Sequence, residues 1–163
     1  MSGTYSVTAT ANGCTSSAGT TTVVVNPTPA APTAGSNSPV CSGNTINLTA
    51  STVGTSTYSW TGPSSYSSST QNPNRTSSTT AMSGTYSVTA TANGCTSSAG
   101  TTTVVVNSTP AAPTAGSNSP VCSGSTINLT ASTVGTSTYS WTGPSSYSSS
   151  TQNPNRTSST TAM

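Results

Sequence analysis

Residues 1–82 recur as 82–163 with two changes, Pro27 to Ser108 and Asn44 to Ser125. The period is 81 residues, the size of a small domain and longer than the roughly 20–50 residues of a solenoid repeat. Met1, Met82 and Met163 occupy the same phase. Met1 is therefore a repeat residue and need not be an initiator. The phase places both ends inside a repeat unit, so the expected native polypeptide continues in both directions. The natural boundary is the Pro-rich stretch Asn26-Pro27-Thr28-Pro29-Ala30-Ala31-Pro32, equivalent to Asn107 to Pro113. Prolines at this density favour an extended, semi-rigid linker. Cutting there yields three parts, 1–28, 29–109 and 110–163, of which only the middle one is a whole repeat.

Within the whole repeat, strand signals dominate and helical periodicity is absent. Thr33–Val40 reads as an edge-like strand in which Pro39 limits pairing. Ser42-Gly43-Asn44 is a turn. Thr45–Ala50 alternates Ile46 and Leu48 on one face with Asn47 and Thr49 on the other. Thr57–Thr61 directs Tyr58 and Trp60 inward, and Gly62-Pro63 ends it. Ser64–Thr80 is polar, with short and weakly marked strands. Thr85–Ala92 carries Tyr86, Val88 and Ala90 on one face, and Asn93-Gly94 is a strong hairpin turn. In the closing strand, Thr103–Asn107, Val104 and Val106 share a face that excludes Val105.

About seven short strands, an inward Trp on the third and a Gly-x-Tyr near the start of the sixth describe an all-β, immunoglobulin-like β-sandwich. Gly84-Thr85-Tyr86-Ser87-Val88 stands where a tyrosine corner belongs. Val88 and Leu48 occupy the positions of the usual cross-sheet disulfide, so that bridge is absent. The expected organisation is tandem 81-residue repeats joined by Pro-rich linkers. In immunoglobulin lettering, 1–28 is a C-terminal half supplying strands F and G. Residues 29–109 form a complete repeat, and 110–163 form an N-terminal half supplying strands A to E. The two halves are complementary, which would allow strand exchange between chains; the preferred expectation is a longer continuous chain of which these residues are a part.

The composition excludes most chemistry. The chain has no Asp, Glu, His or Lys, and its only charged side chains are Arg75 and Arg156. General acid–base catalysis draws mostly on the missing residue types, and no base is present to activate a Ser or Cys. An enzyme is not expected, nor are catalytic residues, a cofactor or a metal site. Carboxylates for calcium are absent, and the cysteines lack the close spacing of a zinc site. Two arginines make no basic patch, which excludes nucleic-acid binding by phosphate neutralisation. No apolar run approaches the roughly 20 residues of a membrane span, and no signal-peptide pattern is visible. Ser and Thr fill 36 of the 81 positions in one repeat. Neutral hydroxyls hydrate the surface yet give little repulsion between neighbouring copies.

Three motifs carry a resemblance. Ser38-Pro39-Val40-Cys41-Ser42-Gly43, Tyr58-Ser59-Trp60-Thr61-Gly62-Pro63, and Ser83-Gly84-Thr85-Tyr86-Ser87-Val88 with Asn93-Gly94-Cys95-Thr96-Ser97 resemble the immunoglobulin-like tandem repeats of large secreted Bacteroidetes cell-surface and adhesin proteins. The resemblance covers the whole repeat. It implies export to the cell surface and tandem arrays in adhesins or filaments. The lack of acidic residues and Phe departs from that pattern and leaves only carbonyl oxygens as calcium ligands.

Cys14, Cys41, Cys95 and Cys122 are disulfide candidates, and paired cysteines on small sandwiches suit an oxidising compartment. Cys41–Cys95 closes within the complete repeat and is favoured because both occur once per module. Cys14–Cys41 with Cys95–Cys122 also respects the repeat. Cys14–Cys95 with Cys41–Cys122 joins equivalent positions and cannot propagate along an array. In a regular sandwich Cys41 and Cys95 lie at opposite ends, which opens a further alternative, Cys41 to the F–G cysteine of the following domain. Tyr66 and Arg75, with their equivalents Tyr147 and Arg156, are candidate surface contacts. Arg75 has no acidic partner, and stacking on a Tyr or solvation is its simplest fate. Tyr58 and Trp60 read as core rather than as a sugar platform. The expected role is a structural repeat of an extracellular filament, stalk or adhesin, with neighbouring copies as partners. The alternative is a module binding polysaccharide or a cell surface through Tyr66 and Arg75.

Overall fold

A computed structural model of the chain describes residues 1–157. It divides into two compact units, Met1–Ser108 and Thr109–Met163. The first holds a complete two-sheet sandwich. One sheet orders Asn74–Arg75, Ile46–Ala50 and Ala34–Ser36, antiparallel throughout. The other is built on Gly84–Ala92, which pairs with Thr57–Gly62 and with Gly100–Val104; Tyr66–Ser68 continues it outside Thr57–Gly62. Among the described residues there is no α-helix, only the single turn Thr80–Met82. This arrangement is an immunoglobulin-like β-sandwich.

Period-two alternation creates the core. Ile46–Ala50 buries every second residue, as does the central part of Gly84–Ala92. Trp60, Tyr86, Val88 and Ala90 retain 0% exposure. Val104 and Val106 are 1% and 4% exposed, whereas Val105 between them is 46% exposed. The polar ends of the buried aromatics are satisfied, as burial requires. Trp60 Nε1 donates to Gln71 O at 3.1 Å, and Tyr58 Oη donates to Ser51 O at 3.2 Å while accepting from Val53 N at 2.9 Å. Gly62 lies so close under the Tyr86 ring that a Cβ would collide with it.

One stretch differs from the sequence expectation, and a second, expected as short strands of unstated order, divides between the sheets. The strand expected over Thr33–Val40 is two pieces on different sheets. Ala34–Ser36 pairs with Ile46–Ala50, and Val40–Cys41 pairs in parallel with Val106–Asn107. Pro39, which has no N–H to give a ladder, sits at the crossing. Ser38 Oγ bonds across the gap, accepting from Val105 N at 2.8 Å. The polar stretch Ser64–Thr80 also changes sheets, since Tyr66–Ser68 pairs with Thr57–Gly62 and Asn74–Arg75 pairs with Ile46–Ala50.

The flanking copies keep local structure but lose burial. Gly3–Val7 and Gly19–Val23 form a hairpin with Gly3 opposite Val23, the register of Gly84 opposite Val104. All ten of its strand residues are exposed. The second unit repeats the three-stranded sheet as Ala115–Ser117, Ile127–Ala131 and Asn155–Arg156. Its equivalent of Thr57–Gly62 is Trp141–Gly143, paired with Tyr147–Ser149.

Candidate functional site

Arg75 is the centre of a small polar and aromatic cluster. Its strand places it next to Ile46. Nη1 donates to Pro63 O at 2.9 Å and to Tyr86 Oη at 3.0 Å. Tyr86 Oη in turn donates to Met82 O at 3.0 Å, which is the tyrosine corner. The guanidinium lies 5.1 Å from the Tyr66 ring centroid, and Tyr66 meets Tyr86 edge-on at 5.5 Å. Sequence reasoning named Tyr66 and Arg75 separately; the structure brings them together, both half-buried, with Arg75 turned toward its own fold. In the second unit Arg156 repeats the bond to Pro144 O at 2.9 Å and lies 5.3 Å from the Tyr147 ring centroid.

An apolar groove of about 380 Å³ runs over the second unit, lined among others by Ala115, Ala131, Val134, Tyr139 and Trp141. Their equivalents in the complete sandwich, Ala34, Ala50, Val53, Tyr58 and Trp60, all belong to or pack on the buried core. The element that covers them there is the Gly84–Val104 hairpin, through Tyr86, Val88, Ala90 and Val104. The first hairpin of the chain presents the same side chains uncovered: Tyr5 is 52%, Val7 71% and Val23 40% exposed. Its tyrosine corner is already made, with Tyr5 Oη donating to Met1 O at 3.1 Å. One element of the repeat thus exists buried once and bare once, and so does its receptor. Sequence reasoning named the complementary halves but not the groove, which is visible only once the sheets are assembled.

Among the described residues no disulfide joins Cys14, Cys41, Cys95 or Cys122. Cys41 stands beside Asn107, where the last strand ends. Cys95 stands at the other end of Gly84–Ala92, opposite Ala92. The full 9-residue strand lies between them, roughly 25–30 Å at about 3.3 Å per residue. A bridge tolerates Cα separations of up to about 7 Å, so Cys41 and Cys95 of one sandwich are out of reach of each other. Cys95 Sγ instead donates to Asn26 O at 3.6 Å, and Asn26 Nδ2 donates to Asn93 O at 3.0 Å.

Two antiparallel sheets, a tyrosine corner and a central Trp define the class, an immunoglobulin-like sandwich domain. No protein-family model matches the chain, and no curated protein sequence matches it. Several solved structures are similar to it in part. One is the amphioxus IgVJ-C2 molecule, at 23% identity over 64% of this chain and 60% of that one, with a TM-score of 0.40. Another comprises three N-terminal domains of the bacteriophage RB49 highly immunogenic outer capsid protein, at 18% identity over 82% and 50% of the two chains and a TM-score of 0.41. A third belongs to a complex of a mouse coronavirus receptor-binding domain with its murine receptor, at 11% identity over 80% and 86% and a TM-score of 0.42. The chain therefore spans less than two thirds of the first two. Among the described residues, no helix is long and apolar enough to cross a membrane.

Proposed function

We propose that this chain is a structural repeat of an extracellular filament, stalk or adhesin, and that its contribution is reach and cohesion through shared sandwiches. The carrying observation is that one 81-residue period folds as a complete sandwich while the same hairpin register and the same three-stranded sheet recur in the flanking copies. In an array of such repeats the groove on the second unit is filled by the equivalent hairpin of the neighbouring repeat, supplied by a continuing chain or by a second copy. The complete sandwich supplies the template for the fit, residue by residue. That packing would cover Trp141 and Tyr139 and bring the hydroxyl of the equivalent tyrosine to Arg156, as Tyr86 Oη meets Arg75. Burying each large apolar side chain contributes about 1.5–3 kcal/mol, and a preformed hairpin loses little further freedom on docking.

Composition supports the non-catalytic part of this reading, since the usual acids and bases are missing. Secretion and cell-surface display are supported by the hydroxyl-rich surface and by the resemblance of the repeat motifs. The alternative, a carbohydrate-binding module, has less support, because the Nη1 bonds of Arg75 go to its own domain. Electron microscopy and light scattering on the purified chain provide the test. Linear assemblies with a spacing of roughly 35–45 Å per repeat are expected, given about 3.3 Å per strand residue. Dispersed monomers at high concentration would refute the reading.

A further inference from the structure

Five described asparagines head the triplet Asn-x-Ser/Thr with no proline in the middle: Asn47, Asn74, Asn107, Asn128 and Asn155. That triplet is the acceptor pattern for an N-linked oligosaccharide. All five are exposed, and so is the hydroxyl residue that ends each triplet, as at Thr49, Thr76 and Thr109. Among the described residues, the asparagine side chains that hydrogen-bond lie outside such triplets. Asn37 donates to Thr45 O at 3.0 Å and accepts from Asn47 N at 2.9 Å. Asn72 Oδ1 accepts from Ala50 N at 2.9 Å, and Asn26 Nδ2 donates to Asn93 O at 3.0 Å. The fold uses amides that are not acceptors and turns those that are toward solvent.

Strand alternation explains the exposure. Ile46 and Leu48 point into the core, so Asn47 between them points out. Arg75 turns inward to Tyr86, so Asn74 beside it points out as well. The two asparagines are register partners, and directly opposed side chains have Cβ atoms about 4.5–5.5 Å apart. Asn128 and Asn155 repeat the pair. So bulky a group as a glycan has room on one member of a pair and not on both. The linker holds an internal control. Asn26 and Asn107 are the same repeat position, followed by Pro27 in one copy and Ser108 in the other. The proline disables the first triplet, and the serine leaves the second intact.

We propose that Asn107 and one member of the Asn47/Asn74 pair carry an N-linked oligosaccharide, that Asn128/Asn155 is the equivalent pair, and that Asn26 carries none. The donor class is a lipid-linked oligosaccharyl diphosphate. The amide Nδ2 bonds to the anomeric carbon as the bond from that carbon to the diphosphate oxygen breaks. The lipid diphosphate leaves, and one amide proton passes to a base. This chain has no Asp, Glu or His, so the base belongs to the transferase. Such transfer meets chains leaving the cytoplasm, so the inference rests on the extracellular role proposed above. The hydration a glycan brings suits a surface whose only charged side chains are Arg75 and Arg156.

The test is peptide mass spectrometry on the full chain purified from its native cells, before and after an amidase that removes N-linked glycans and leaves Asp at the carrier position. Glycopeptides are expected at Asn107 and at Asn47 or Asn74, with Asp at the same positions after treatment. Sugar on Ser or Thr resists the amidase and would count against the assignment. Pro27→Ser should add a glycan at Asn26, and Ser108→Pro should remove it from Asn107; no change in either variant would overturn the proposal. Protease shaving of intact cells, run in parallel, reports where the chain lies. A shaved chain with bare Asn47, Asn74 and Asn107 would overturn the glycan and leave the extracellular reading standing. A bare chain that shaving does not reach would overturn both.

Discussion

Tyr86 shows how much a single side chain does in a sandwich this small. Its ring fills the space that Gly62 leaves open. Its hydroxyl joins the Met82 carbonyl to the Arg75 guanidinium. Tyr86→Phe keeps the ring and strands both partners, so a loss of about 1–3 kcal/mol is expected, read as a lower urea midpoint with an unchanged slope. The sequence marked Tyr86 as a corner residue through its Gly-x-Tyr context, and it marked Arg75 as a cation without an acid. It did not link the two, because 11 residues and a change of sheet separate them. Only the pairing of both strands with their neighbours brings the hydroxyl to the guanidinium.

At the scale of elements, the long alternating strands were legible. Ile46–Ala50, Thr57–Gly62 and Gly84–Ala92 announce their buried faces by period-two patterning. Short strands were not. Val40–Cys41 and Asn74–Arg75 are two residues each, too brief for any period, and distant partners decide their pairing. The bare and the buried hairpins make a controlled comparison, since Val7 and Val88 are the same position of the repeat. Val88→Lys forces a charge into a site with 0% exposure, and the complete sandwich should lose about 3–5 kcal/mol. Val7→Lys acts where the residue is 71% exposed. It should change the sandwich's melting by no more than about 0.5 kcal/mol and abolish assembly measured by light scattering. Equal effects at the two sites would contradict the proposed docking.

For the whole molecule, the absence of Asp, Glu, His and Lys sets a dependence on pH that is nearly flat. Between about pH 4.5 and 7 no side chain present has an ordinary titration range. Folded and unfolded chains then bind the same number of protons, so the slope of stability with pH is zero. Thermal melts across that window should coincide within about 1 kcal/mol, and salt from about 0.05 to 0.5 M should move them little, since no acidic side chain is present to pair with either arginine. A sloping profile would reveal a titrating group that the composition lacks.

The parallel pairing of Val40–Cys41 with Val106–Asn107 has a mechanical consequence. These segments enter and leave the sandwich, and they run in the same direction. Tension along a string of such domains pulls one segment back along the other instead of peeling them apart. The bonds from Val40 N to Val105 O and from Ser42 N to Asn107 O then stretch together and share the load, where a hairpin would open one rung at a time. A thread built this way resists extension at the points where each bead is tied to the next, and single-molecule stretching should show rupture forces that fall when Val40 is replaced by proline, which removes one of the two bonds.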